Sequence, residues 1–183
     1  MSRSLEKLLD AALDTRQERR RQHQAEQTSA RQAIDVAHAK VEWEQTLFHS
    51  KVRPLVEQAV AQANRHLAKR PEHCGFRDLS GHFTGPQHVH AATCNPIAYE
   101  LCAGGATVGE ALLVELTHDG WIEASLCHSP DSIEEAEAPR TDFGWHPMRI
   151  GKFTAASATN LVVSYVAAIT RRSPLGQHEP RSA

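Results

Sequence analysis

The sequence lacks the cysteine pattern of a disulfide-bonded or redox-active protein. Its four cysteines, Cys74, Cys94, Cys102 and Cys127, lie at wide and unequal intervals, and no Cys-x-x-Cys pair is present. Disulfide frameworks and redox dithiols are recognised by even numbers of regularly or closely spaced cysteines. We therefore expect reduced thiols, as in a cytoplasmic protein.

The chain also lacks a strong net charge and a strongly apolar run. Its formal net charge is -2, so no overall field attracts or repels nucleic acid. The first seven residues mix acid and base and do not contain the apolar stretch of a signal peptide. Residues 153–170 are uncharged, but their many Ser, Thr and Ala residues predict a buried helix and no membrane span.

Several catalytic motifs are absent as well. There is no Gly-x-Ser-x-Gly sequence of a serine hydrolase. Gly151 and Lys152 follow a predicted strand, but His146 and Phe153 replace the glycine and the hydroxyl residue that a phosphate-binding loop requires. What remains there is a helix start beside a lysine, which could attract an anion. Cys127 and His128 are neighbours on a predicted strand, so they would point to opposite faces and could not form a dyad.

The N-terminal part of the sequence is helical in character. Residues 14–32 are mostly Arg, Gln and Glu, which favour a helix but offer nothing to bury, so residues 1–32 are predicted to be a polar helical arm, partly disordered. Its arginines alternate with acids and have no aromatic neighbours, so nucleic-acid binding is not expected. From residue 33 to 70, apolar residues recur at spacings of three, four and seven, which predicts a helix with one apolar stripe. Pro54 predicts a kink or a fresh helix start.

Residues 75–150 change to a period of two, which predicts an antiparallel sheet. Strands are expected at 87–94, 97–103, 107–117 and 121–127, with one more between 145 and 150. A three-residue loop that ends at Gly120, in the left-handed conformation, would pair Leu116 with Ile122 and make one face apolar. On the same face, Leu101 is expected to pair with Val108, and Ile97 with Leu112.

A C-terminal helix at 153–171 repeats its apolar residues every four positions and should cover the sheet. Residues 173–183 read as a disordered tail. The sequence thus predicts an α+β protein: a long N-terminal helical arm, an antiparallel meander of four to five strands and a C-terminal helix packed on the sheet. Residues 33–172 would form its single domain.

A cluster of histidine and cysteine residues predicts one candidate metal site. On a strand, His88, His90 and Cys94 would share a face, and His82 precedes them. Imidazole and thiolate are ligands of zinc, although the spacing matches no closed zinc motif. The opposing interpretation is a half-exposed strand with one small core thiol. A metal-binding protein or metal-dependent enzyme is therefore an alternative function.

The N-terminal helix predicts the preferred function. About 34 residues of helix span some 50 Å, longer than the strands could cover. The stripe around Val41, Phe48, Val52 and Leu55 would then serve a non-enzymatic interaction or adaptor protein, in a coiled-coil homodimer or against another protein. The alternative is that the helix, in its half after Pro54, folds back over the sheet. A further alternative is a small-ligand carrier with a pocket between the sheet and the C-terminal helix, lined by Tyr99, Leu101, Val114 and Tyr165.

Overall fold

A computed structural model of the chain describes residues 2–70, 74–83, 95–103, 106–128 and 140–172. Within these ranges, side chains are described from Leu13 onward, except at positions 106, 108 and 172. The chain divides into two compact units, Met1–Glu42 and Trp43–Ala183. The first consists of helix alone, and the second contains the sheet and two further helices.

The N-terminal half of the chain is helical. Helix α1 spans Ser2–Leu47, a π-helical turn spans Phe48–Val52 and helix α2 spans Arg53–Leu67. Residues 14–32, rich in helix-favouring Arg, Gln and Glu, are part of α1. Pro54 lies in the first turn of α2, where its missing N–H is not needed. Leu47, Val52 and Arg53 all have right-handed helical φ and ψ angles, so the backbone stays helical through the π-helical turn into α2 and does not start anew at Pro54. The other expectation for Pro54, a kink, stays a prediction.

The second unit contains a five-stranded antiparallel meander in the order β1 to β5. The strands are β1 Gly75–Asp78, β2 Ile97–Ala103, β3 Ala106–Leu116, β4 Trp121–His128 and β5 Met148–Arg149. Short 3-10 turns at Ser80–His82 and Ile150–Lys152 separate these elements, and helix α3, Ala155–Arg172, closes the unit. The α+β class and the antiparallel sheet are confirmed; the predicted strand at 87–94 and the tail lie outside the described residues.

The β3–β4 hairpin has the predicted register. Leu116 pairs with Ile122, and the pairing continues along both strands. Thr117 N donates to Trp121 O at 2.8 Å, which leaves three residues in the loop. Gly120 has φ +75°, the left-handed conformation that this loop requires. The alternation of apolar residues was therefore sufficient to fix this register.

The β2–β3 register is correct beside the turn and wrong beyond it. Cys102 pairs with Thr107, as the predicted offset requires, but Ile97 pairs with Val114 where Leu112 was expected. The shift lies between Glu100 and Cys102, so the described pairs do not include Leu101 with Val108. Gly109, at φ +83°, supplies the positive φ that an irregularity in β3 can use. A shift of two residues keeps the same side chains on the apolar face.

One face of the sheet packs against α2 and α3. Its side chains alternate along β2, β3 and β4, and the helices add their buried residues to the same core. The predicted last strand is shorter than expected, because only Met148–Arg149 pair with β4. Phe143 and Trp145 instead enter this core from the preceding segment. Within the described ranges, no helix has the length and apolarity needed to cross a membrane.

The turn between β3 and β4 holds a buried carboxylate from α1. Glu44 is 5% exposed, and a Cβ on Gly120 would collide with its Oε1 unless the carboxylate moved. Ile150 N donates to Gly120 O at 3.0 Å. The turn is therefore packed on both sides, and Gly120 is required for space as well as for its φ angle.

Candidate functional site

The first unit presents a helix with nothing of its own to cover it. Every side chain from residue 13 to residue 40 is exposed, including the large apolar groups of Leu13, Ile34 and Val36 at 61%, 54% and 71%. Short isolated helices are marginal in water, and most helices gain stability from packing an apolar face. Exposed apolar residues on a long helix are therefore the main candidate for an interaction surface.

Two of these apolar residues lie on one stripe of the helix. Leu13 and Ile34 are three heptads apart, with Arg20 and Gln27 at the positions between them. Residues seven apart differ by only about 20° around a helix, so Leu13 and Ile34, three heptads apart, differ by about 60° and share one broad face. Val36 is two residues from Ile34 and so lies on the other side of α1. We call Leu13, Arg20, Gln27 and Ile34 the arm stripe.

Part of the apolar stripe that was expected to bind a partner lies in the core of the second unit. Phe48 and Val52 are 0% exposed and belong to the core of the second unit. Leu55 is half-buried and packs against the same core. Val41 is half-buried. The core therefore already includes residues before Pro54, earlier in the chain than the folded-back alternative placed them, and the exposed apolar side chains of α1 lie before Phe48.

The metal prediction falls mostly outside the described part of the chain. His88, His90 and Cys94 lie outside the described residues. His82 is exposed in the 3-10 turn after β1. Over the ranges that the structure describes, no three His, Cys, Asp or Glu side chains are grouped so that they could hold a metal ion.

The four residues expected to line a ligand pocket are packed in the core. Leu101, Val114 and Tyr165 are 0% exposed and Tyr99 is 7% exposed. The Tyr165 hydroxyl accepts a hydrogen bond from Leu101 N at 3.0 Å and donates one to Glu110 O at 2.7 Å. Burial raises the pKa of both tyrosines, that of Tyr99 to about 12. Tyr165 thus connects α3 to β2 and β3 as a neutral phenol.

The thiols are in surroundings that suppress their reactivity. Burial, followed by the charge of Glu115, raises the pKa of Cys127 to about 12. Burial also raises the pKa of Cys102, with Glu100 adding to the effect. The nucleophilic form of cysteine is the thiolate. Neither thiol has the lowered pKa of a catalytic nucleophile.

A buried polar group on the far face of the sheet was not predicted. Glu100 is 0% exposed and its Oε2 is 2.6 Å from Arg77 Nη2. Among the described residues, neither its Oε1 nor the buried Ser125 Oγ has a hydrogen-bond partner. The sequence signal was the presence of Ala111 and Leu113 on this face, where they form a second apolar cluster with Leu79 and Ala98.

A second polar group missed by sequence reasoning borders a cavity of about 410 Å³. Arg140, in a β-bridge with Leu126, lies on one side of the cavity, and Ser164 and Arg171 of α3 lie on the other. Arg140 is more than twenty residues from Ser164 and from Arg171 in the sequence, so folding alone brings it beside them.

Comparisons with protein-family models, with curated proteins and with solved structures find no match for the chain.

Proposed function

We propose that this chain is a non-enzymatic interaction protein that associates with a second copy of itself through the arm stripe of α1. The observation that carries the proposal is the exposure of every side chain from residue 13 to residue 40, with Leu13 and Ile34 on one stripe. Pairing two such helices would remove these apolar groups from water without any contribution from the core of the second unit.

The order of residues along the stripe supports an antiparallel pair. If Leu13 of one helix lies opposite Ile34 of the other, the two-fold symmetry also places Ile34 opposite Leu13 and Arg20 opposite Gln27. In the same register Arg21 falls opposite Glu26. Each copy therefore offers the apolar and charged positions that the other needs, as an isologous interface requires.

A parallel pair in register is disfavoured by charge. It would place the consecutive residues Arg19, Arg20 and Arg21 against their own copies, and like charges at close positions repel. In the antiparallel register the three arginines face Glu26, Gln27 and Thr28 instead. Arg16 and Arg31 do face each other, which limits the stability of the pair.

Sedimentation of the full chain over a concentration series tests the proposal. Wild-type protein is expected to reach twice the mass of one chain. Ile34→Asp should return it to one chain, because a charge would be buried opposite Leu13. Val36→Asp is the matched control, since it changes an equally exposed β-branched residue on the other side of α1.

Ile34 and Val36 are exposed, so neither variant should alter folding of the second unit, which circular dichroism can verify. A wild-type protein that stays a single chain at all concentrations would refute the proposal. So would a dimer that Val36→Asp disrupts and Ile34→Asp does not. Phe48→Asp is unsuitable for this test because Phe48 is a core residue.

A further inference from the structure

The cavity beside Arg140 lies between the segment 140–144 and the C-terminal half of α3. It is lined by Arg140 and Asp142 on one side, by Ser164 and Arg171 on the other, and by Gly144 at its edge. Gly144 has φ +88°, and its carbonyl accepts a hydrogen bond from Ser164 Oγ at 3.4 Å. The loop and the helix are thereby connected beside the opening.

Arg140 is held by its backbone while its guanidinium is only loosely paired. Leu126 N donates to Arg140 O at 2.7 Å and Arg140 N donates to Leu126 O at 2.8 Å. The Nη1 atom is 3.5 Å from Glu110 Oε1, and Nε is 3.5 Å from Asp142 Oδ1. Both distances exceed the 2.7–2.9 Å or so of a charge-assisted hydrogen bond.

Arg77, on β1, is an arginine that makes a close ion pair and serves as a comparison for Arg140. Arg77 Nη2 lies 2.6 Å from Glu100 Oε2. Arg140 Nε, in contrast, is buried and has no hydrogen-bond partner among the described residues. The neighbouring His128, paired with Glu110 across β3 and β4, likewise has a buried Nδ1 without a described partner. Buried polar atoms are normally paired, and these two are unpaired within the described part of the chain.

We infer that this cavity binds a small molecule through an oxyanion, a carboxylate or a phosphate, held between Arg140 and Arg171. The planar donor fork of arginine matches both oxyanions in a two-point contact. The volume is at the lower end of the range for ligand pockets, which suits a molecule of modest size.

The two acidic residues nearby orient Arg140 without closing the cavity. The Asp142 side chain is 81% exposed, so solvent screens its charge. Glu110 is 21% exposed and approaches Arg140 at Nη1. The remaining donors of Arg140 are available to a ligand, because a guanidinium carries five N–H groups.

Amide NMR titration of the full chain with inorganic phosphate and, separately, with succinate tests the inference. The variant is Arg171→Gln, and the control is Lys152→Gln, which removes the same charge near the other end of α3, about 27 Å away. Both residues are exposed, so both variants should fold. Saturable shifts at Gly144 and Ser164 with one probe are expected, and which probe binds distinguishes phosphate from carboxylate.

Arg171→Gln should weaken the binding of that probe about tenfold or more, whereas Lys152→Gln should change it by less than about twofold. Absence of saturable shifts with either probe up to about 20 mM would overturn the inference. Equal weakening by the two variants would indicate non-specific surface charge, and weakening by Lys152→Gln alone would place the anion at the start of α3. Each of these outcomes also overturns it.

Discussion

The two units of the chain use their apolar residues in opposite ways. In Met1–Glu42, the described apolar side chains from Leu13 to residue 40 are all exposed. In Trp43–Ala183, the residues of α2, α3 and one face of the sheet form a continuous core. Mutations should therefore affect stability in the second unit and association in the first, and this contrast can be tested one residue at a time.

The largest difference is expected between Phe48 and Ile34. Phe48→Ala removes a fully buried ring and should lower the free energy of unfolding by about 3–5 kcal/mol. Ile34→Ala, at an exposed position, should change it by less than about 0.5 kcal/mol when measured below the association range. Urea denaturation of both variants measures this. Similar losses of unfolding free energy in the two variants would contradict the assignment of Phe48 to the core and of Ile34 to an exposed surface.

Glycine-to-alanine variants of the second unit should separate two causes of lost stability, which are steric crowding by a neighbouring side chain and an unfavourable φ angle. Gly120→Ala must accommodate a positive φ and also displace the carboxylate of Glu44, so a loss larger than that from a positive φ alone, about 1–3 kcal/mol, is expected. Gly109→Ala has only the positive φ and open space, and should lose about 1 kcal/mol.

Gly151→Ala, with open space and no positive φ, serves as the neutral control for this series. Thermal or urea unfolding should rank the three variants in that order. If Gly120→Ala were no worse than Gly109→Ala, the packing of Glu44 against the turn would be disproved.

Alkaline pH should destabilise the second unit through the half-buried thiol of Cys127. The pKa of Cys127 is raised from its ordinary value of 9.0 to about 12. Below pH 9.0 the thiol is protonated in both states. Between pH 9 and 12 it ionises only in the unfolded chain, so stability falls as pH rises through this window. Cys127→Ala should show a shallower fall in urea denaturation from pH 9 to 10; an unchanged slope would refute the burial of this thiol.

The smallest expected effect concerns the arm. Arg31→Glu would replace the repulsion of Arg16 by an attraction in the antiparallel pair and strengthen dimerisation by about 0.5 kcal/mol. In a parallel pair in register, residue 31 faces its own copy, so the substitution would replace an Arg–Arg contact by a Glu–Glu contact and leave the repulsion in place. Sedimentation equilibrium at low salt measures the difference. An unchanged or weaker dimer would contradict the antiparallel register.

The sequence was most informative where a local pattern decides the structure. The alternation from Leu112 to Leu126 selected the β3–β4 register, because a slip of one residue would bury polar side chains. It could not reveal the register shift in β2–β3, since a shift of two residues preserves the alternation. The positive φ of Gly109 is decided by the folded sheet and has no separate signature in the sequence.

The candidate sites were less predictable because they depend on tertiary contacts. The stripe through Phe48 and Val52 is equally suited to a partner or to the chain's own core, and only the folded structure shows that both residues lie in that core. The cavity joins Arg140 to Arg171 across two elements. Nothing in their sequence spacing indicates that neighbourhood, whereas the exposure of the polar arm follows from its composition.

Cysteine cross-linking between Leu13→Cys and Ile34→Cys chains tests the central claim most directly. The two variants are oxidised separately and as a mixture, with wild-type protein as the control for the native thiols. The antiparallel arm predicts a cross-linked pair chiefly in the mixture, where the thiol introduced in one variant can meet the thiol introduced in the other. Cross-linking of each variant with itself but not in the mixture, or no cross-link beyond the wild-type level, would contradict association through this stripe.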